Sequence, residues 1–270
     1  MRWVTLIGVV LVGLLLFTGI VFAEGHSPFK VPPGFEKGKP SDKAEEAIDI
    51  HKPITPGGAY MRFTKVHYAK PPWAEKPDEE DLPKDNNAYE LLGMSWDLTK
   101  YPGGIPYIID PDYGPVGCVE QVELGYEAWD DVLTDELYAG IVVDASVGPS
   151  VDSPDFINTV SWRKVVPPRV IAVTFIWYYP ETGEMVDCDV VFNTKKAWGI
   201  DFDGEGGGFT LTDAFDVRNI ATHEAGHVSG LADLYDKPFS ELTMYGYSSE
   251  GETKKISLQN GDVLGLEAIY

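Results

Sequence analysis

Apolar and polar positions divide this chain into three unlike stretches. After Arg2 an uncharged apolar run extends from Trp3 to Ala23, ending Val21-Phe22-Ala23 before Glu24. A positive residue, an apolar core and a small residue at the boundary read as an export signal over residues 1–23, cleaved after Ala23. The run is also long enough to cross a bilayer, so its retention as an N-terminal anchor is the alternative, and the one route to a membrane. Both readings put the remainder outside the cytoplasm, either secreted or held at the cell surface.

Residues 24–87 lose the apolar pattern. Pro, Lys, Glu and Asp dominate, as in Lys76-Pro77-Asp78-Glu79-Glu80-Asp81-Leu82-Pro83. Such a stretch buries little apolar area and is expected to be extended. The exception is Tyr60, Phe63, Val66, Tyr68 and Trp73, a cluster able to dock on a folded surface.

From residue 88 to 270 the pattern is globular. Ile105 to Asp110, Ile141 to Asp144 and Val170 to Trp177 are apolar or β-branched runs bounded by turn signals, and predict strands, the last of them central. Val122, Leu124, Ala128, Trp129, Val132 and Leu133 recur at helical spacing and predict a helix from Val119 to about Leu137. Val186 to Phe192 mixes apolar residues with Asp187 and Asp189, which predicts a strand with one wet face at a sheet edge. Thr212 or Asp213 is placed to cap a further helix, with Asp216 near its positive end, running to Gly230.

Charge narrows the partners. Forty-three acidic residues against 21 basic ones give a net charge of −22, which disfavours nucleic acid. Cys118 and Cys188 are the only cysteines. In an oxidising compartment an isolated pair is either one disulfide or two buried thiols.

The chemistry concentrates in His223-Glu224-Ala225-Gly226-His227-Val228-Ser229-Gly230-Leu231-Ala232-Asp233. Histidines four apart on a helix project from one face, so both imidazoles reach a single metal ion, and imidazole suits zinc. Glu224 follows the first ligand and reaches water beside the metal rather than the metal itself. Gly230 allows a left-handed helix stop that turns the chain back, and Asp233 offers an oxygen as third ligand. Three protein ligands with one open position are the layout of a catalytic zinc site. A second candidate lies in Asp201-Phe202-Asp203-Gly204-Glu205, where Asp201, Asp203 and Glu205 surround a glycine. Calcium takes such oxygens, although a solvated turn has the same composition.

The eleven-residue motif resembles the metzincin zinc-binding consensus, with Asp233 where the third His usually stands, as in the snapalysin-type variant. Thr243-Met244-Tyr245-Gly246-Tyr247 looks like the methionine turn of that group, with Met244 as an apolar floor under the metal and not a ligand. The final stretch from Ser257 to Tyr270 is similar to the last helix of matrixin catalytic domains, as are Ala128-Trp129 and Asp189-Val190 at their positions. The resemblance covers about Leu98 to Tyr270. It implies an α+β fold: a twisted, mostly parallel sheet with an active-site helix, a backing helix and a small C-terminal subdomain ending in a helix.

It further implies a zinc-dependent endopeptidase acting on extended polypeptides. Glu224 would be general base and then general acid, with substrate lying along the edge strand near Val186 to Phe192. Residues 24–87 then read as a removable pro-segment or a plain linker, and their lack of cysteine rules out a cysteine switch. The competing class is a non-catalytic, metal-stabilised extracellular binding module on the same fold. A gluzincin arrangement is disfavoured by the short spacing to Asp233.

Asp233 carries a prediction of its own. A carboxylate in place of an imidazole lowers the charge of a zinc centre by one unit and weakens it as a Lewis acid. The acid limb of the pH–rate profile is therefore expected at higher pH in the native protein than in Asp233→His. An unchanged or lower limb in the native protein would sink the idea.

Overall fold

A computed structural model describes residues 47–50, 59–71, 86–205 and 211–270. The export signal or anchor and Trp73 lie outside these residues. In chain order the strands before the main helices are β1 (Ile48–Asp49), β2 (Met61–Ala69) and β3 (Ile108–Ile109). Helix α1 (Cys118–Asp130) precedes β4 (Val142–Val143), β5 (Thr159–Arg163), β6 (Val165–Val166), β7 (Val170–Tyr178) and β8 (Met185–Asn193). Then come β9 (Trp198–Gly199), β10 (Phe215–Asp216), α2 (Val217–Val228), β11 (Tyr247–Ser248) and α3 (Asn260–Glu267).

Seven strands form one sheet in the order β11-β2-β7-β8-β5-β3-β4. The pairs from β8 through β5 and β3 to β4 are parallel, as is β11 with β2, whereas β7 runs antiparallel to both neighbours. This is the α+β, mostly parallel arrangement that the resemblance implied.

The apolar run of β7 is continuous because the strand is buried on both faces. Ile171 and Ile176 join the cluster that contains Val122, Trp129, Ile220 and Ala225 of the helices. Val173 and Phe175 pack instead with Ile50, Val165 and Val191. Helix α1 lies against α2 at Gly125, where an added Cβ would stand 2.9 Å from the Ala221 Cβ and 2.9 Å from the Thr222 N. The indole of Trp129 then donates to the Thr222 carbonyl at 2.8 Å, so α1 fixes α2 on the sheet.

Two expectations are corrected. Helix α1 stops at Asp130 rather than near Leu137, because the Asp130 carboxylate turns outward-bound chain back by accepting the N–H groups of Leu137 and Tyr138 at 2.6 and 2.9 Å. Strand β8 is not an edge: it pairs with β7 on one side and β5 on the other. Its acids are not wet either. Asp189 accepts from Ser150 N at 2.9 Å and Thr159 Oγ1 at 2.5 Å, and Asp187 from Asp155 N at 2.8 Å and Phe156 N at 3.2 Å. The loop before β5 supplies the donors that water would otherwise give. Cys118 and Cys188 are separate, buried thiols. Burial pushes Cys118 up to about 12 and raises Cys188 as well, which leaves both unreactive.

Burial raises Asp187 to about 7 and Asp189 to about 8, above the value near 4 of an unfolded chain. The folded state therefore holds more protons through this window, and the stability so contributed is lost as pH rises through the folded values. Between about pH 5 and about pH 8, Asp187→Asn is expected to lose roughly 1–3 kcal/mol less stability than the native protein. Urea midpoints at the two pH values decide this, and equal losses in both proteins would refute it.

Candidate active site

Helix α2 begins at Asp216, whose carboxylate accepts from Asn219 N at 2.7 Å. The cap is thus Asp216 itself, not Thr212 or Asp213, because β10 holds Phe215–Asp216 beside β9 until the helix starts. The other Asp216 oxygen takes the Asp201 N–H at 2.8 Å. At the far end Gly230 has φ +104°, where an added Cβ would meet the Met94 carbonyl at 2.5 Å. The Leu231 N–H bonds to Gly226 O at 2.9 Å and the Gly230 N–H to His227 O at 3.0 Å. These two bonds make a Schellman turn and direct residues 231–233 back along the helix.

The turn delivers Asp233 to the two imidazoles. His223 Nε2 and His227 Nε2 each lie 3.2 Å from Asp233 Oδ1. A tetrahedral zinc with bonds of about 2.0–2.1 Å sets its ligand atoms roughly 3.3 Å apart, so the spacing fits. All three atoms are buried and lack a hydrogen-bond partner among the described residues. The far ring nitrogens fix the tautomers: His223 Nδ1 donates to the Thr243 carbonyl at 2.7 Å and His227 Nδ1 to the Leu231 carbonyl at 2.8 Å. Both Nε2 lone pairs therefore face the shared point, as metal-binding imidazoles require. Burial, and then the charge of Lys255, lower His223 to about 3, which keeps it neutral.

Glu224 stands beside this centre. Its Oε2 accepts from Thr174 Oγ1 on β7 at 2.6 Å, which leaves Oε1 for a proton. Burial raises its carboxyl to about 7, with His227 and the Thr174 hydrogen bond opposing the rise. Oε1 lies 3.2 Å from His67 Nδ1 on β2, and the His67 and His223 rings are 4.0 Å apart. Lys65 on the same strand reaches Asp233 Oδ2 at 2.6 Å, an oxygen that Tyr235 also holds at 3.1 Å. Two groups among the described residues bring ligand-type atoms within 4.8 Å of one another: His223, His227 and Asp233, and His67, His223 and Glu224.

Neither group includes Asp201, Asp203 or Glu205, and calcium is not supported there. Asp201 Oδ1 accepts from its own loop, at Asp203 N (3.3 Å) and Gly204 N (3.1 Å), while Glu205 takes the Ser257 hydroxyl. The glycine-rich composition serves a turn.

Met244 lies against the helix at Gly226. An added Cβ on Gly226 would stand 2.7 Å from Trp129 Cζ2, and nearer still to Met244 Sδ. The methionine turn is clamped from α3, where Asp262 accepts from Thr243 N at 3.0 Å and Met244 N at 3.1 Å. Thr174, Tyr235, Asp262, Lys65 and His67 escaped the sequence reading. Thr174 is the one polar residue within the apolar run Val170 to Trp177, a usable signal. His67 is one of only five histidines, the other.

A mostly parallel sheet with one antiparallel strand beside α2, two helical imidazoles, a Schellman exit to a carboxylate and a methionine beneath the helix are together consistent with a metzincin-like fold. Residues 169–270 match the matrixin family. Over 101 residues the chain is 30% identical to metalloendoproteinase 4-MMP of Arabidopsis thaliana, a match covering 37% of this chain and 26% of that relative. The chain thus carries a matrixin-like metzincin domain and spans about a quarter of the relative's length.

Gly226→Ala tests the floor. Helix propensity alone favours the alanine by about 1 kcal/mol, whereas the contact with Trp129 and Met244 costs roughly 1–3 kcal/mol. Net destabilisation is expected in urea unfolding, and a raised midpoint would show that the floor has room for a methyl group.

Proposed function

We propose that this chain is an exported, zinc-dependent endopeptidase that hydrolyses extended polypeptides. The observation that carries the reading is the convergence of three buried, unpartnered donor atoms on His223, His227 and Asp233, at tetrahedral spacing and with both tautomers fixed. The matrixin match and the name of the Arabidopsis relative agree with it. Secretion rests on the apolar segment of residues 3–23.

His223, His227 and Asp233 would hold the metal, which when bound supplies a Lewis acid that polarises a carbonyl and acidifies water. Glu224 does the proton transfer. Thr174 fixes Oε2, so Oε1 takes one proton from the attacking water as its oxygen bonds to the carbonyl carbon, and returns it to the amide nitrogen as the C–N bond breaks. A carboxyl raised toward neutrality suits both halves of that cycle. Met244 and Gly226 keep the helix seated while Asp262 holds the turn beneath it.

The test is metal content and hydrolysis of unfolded casein by the purified full chain. About one zinc per chain and slow cleavage are expected, with cleavage abolished in Glu224→Ala but zinc retained, and zinc lost in His227→Ala. Undiminished cleavage by Glu224→Ala, or after chelation, would rule this mechanism out.

A further inference from the structure

Lysine and arginine stay at the surface of a folded chain unless a carboxylate accompanies them inward. Lys255 departs from that rule. Among the described residues it is the one lysine or arginine that is buried, whereas Lys254 beside it reaches Glu241 at 3.0 Å in the ordinary way. Its ammonium forms no ion pair with a carboxylate among the described residues, and its one hydrogen-bond partner there is the Tyr245 carbonyl. The acids whose charge it feels are committed elsewhere. Asp262 receives the N–H groups of Thr243, Met244 and Gln259, Asp233 holds Lys65, and Glu252 takes the Ser248 hydroxyl at 3.2 Å. Desolvation lowers the ammonium to about 8, so it still carries its charge at neutral pH.

A second unmet donor stands next to it. Asn219, 1% exposed, spends Oδ1 on Lys255 N at 2.8 Å and leaves Nδ2 buried without a partner among the described residues. Asn219 precedes His223 by four residues and His223 precedes His227 by four, so the amide and both imidazoles lie on one stripe of α2. Lys255 is tied to the same place from the other side. Its carbonyl accepts from Thr243 Oγ1 at 3.3 Å, and the Thr243 carbonyl in turn holds His223. The amide therefore sits one helical turn, a rise of about 5.4 Å, before the first proposed metal ligand, with the Lys255 main chain against it. The loop over Lys255 has room to give way, because a cavity of about 430 Å³ borders Glu252, Thr253 and Lys254.

We infer that Lys255 and Asn219 set the substrate preference: they receive the carboxylate of a glutamate side chain next to the scissile peptide bond. The inference rests on the peptidase reading above and adds a chemical class of substrate to it. An ammonium and an amide NH2 offer donors, and an ionised carboxylate is the side chain that only accepts. Length favours glutamate over aspartate, since the carboxylate must lie a helical turn away from the reacting carbonyl. Leucine would leave both donors unpaired, and glutamine would leave the buried charge uncompensated. A site whose buried polar groups need a partner rejects the analogue that cannot supply one.

The test gives the full, zinc-loaded chain a mixed peptide library, with cut sites read by mass spectrometry. Matched peptides that differ only by glutamate or glutamine at each position flanking the cut bond follow. Glutamate should be enriched at one flanking position and raise kcat/KM about tenfold or more over glutamine. In Lys255→Met, which keeps the length of the side chain, that ratio should fall to about one, with zinc bound and the glutamine peptide cut as before. Asn219→Asp, which puts an acceptor where a donor stood, should lower the ratio as well. A ratio near one in the native chain, or an unchanged ratio in either variant, would overturn the preference and leave the peptidase standing. Should the zinc-loaded native chain cut no peptide of any sequence, the peptidase reading falls, and this inference with it.

Discussion

Two imidazoles one helical turn apart become a three-ligand centre only if a third donor reaches the same point from outside the helical face they share. In this chain that depends on Gly230. Its positive φ closes α2 with paired bonds to Gly226 and His227, and the returning chain places Asp233 Oδ1 equally far from both Nε2 atoms. The same turn presents the Leu231 carbonyl to His227 Nδ1, so one backbone feature positions the third donor and selects the tautomer of the second. A side chain at position 230 would need both a left-handed backbone and space already taken by Met94.

The rest of the site follows from how α2 is seated. Trp129 and Gly125 on α1, Thr174 on β7 and Met244 below approach α2 from different sides. Two of these approaches are made possible by a glycine: Gly125 against Ala221, and Gly226 against Met244 and Trp129. Asp262 adds the last link, since its two oxygens receive the N–H groups of Thr243 and Met244 and so tie the C-terminal helix to the floor. The Thr243 carbonyl in turn receives His223 Nδ1, and the clamp therefore extends to the first histidine.

What could be read from the sequence was whatever local spacing determines. His223, Glu224 and His227 stand where a 3.6-residue period puts them, Gly230 ends the helix as its chemistry suggests, and Met244 lies at the floor. The misreadings came from contacts between distant residues. Asp187 and Asp189 look like solvent-facing acids until residues 150–156 bring them backbone donors. The calcium candidate is a different case: Asp201 is satisfied by Asp203 and Gly204 of its own loop, the turn alternative that composition had left open. Lys65 and His67 lie about 160 residues before the carboxylates they contact, and no local pattern relates β2 to α2 and the turn that follows it. The edge strand was misplaced for the same reason, because strand order is a property of pairing rather than of composition.

The centre is also costly to leave as bare protein. His223 Nε2, His227 Nε2, Asp233 Oδ1 and His67 Nε2 are all buried without hydrogen-bond partners among the described residues. Each such group costs on the order of 1–3 kcal/mol, which is a large share of a domain's net stability. Lys255, fully buried close by, is lowered to about 8 by desolvation and is held by the Tyr245 carbonyl. A cation bound in the folded state would offset much of that cost. Coordination of a cation by two neutral imidazoles and a carboxylate satisfies three of the four atoms at once. Metal affinity and fold stability would then be one quantity seen from two sides, because the donor set that would do chemistry is also the set of buried groups a bound cation would satisfy.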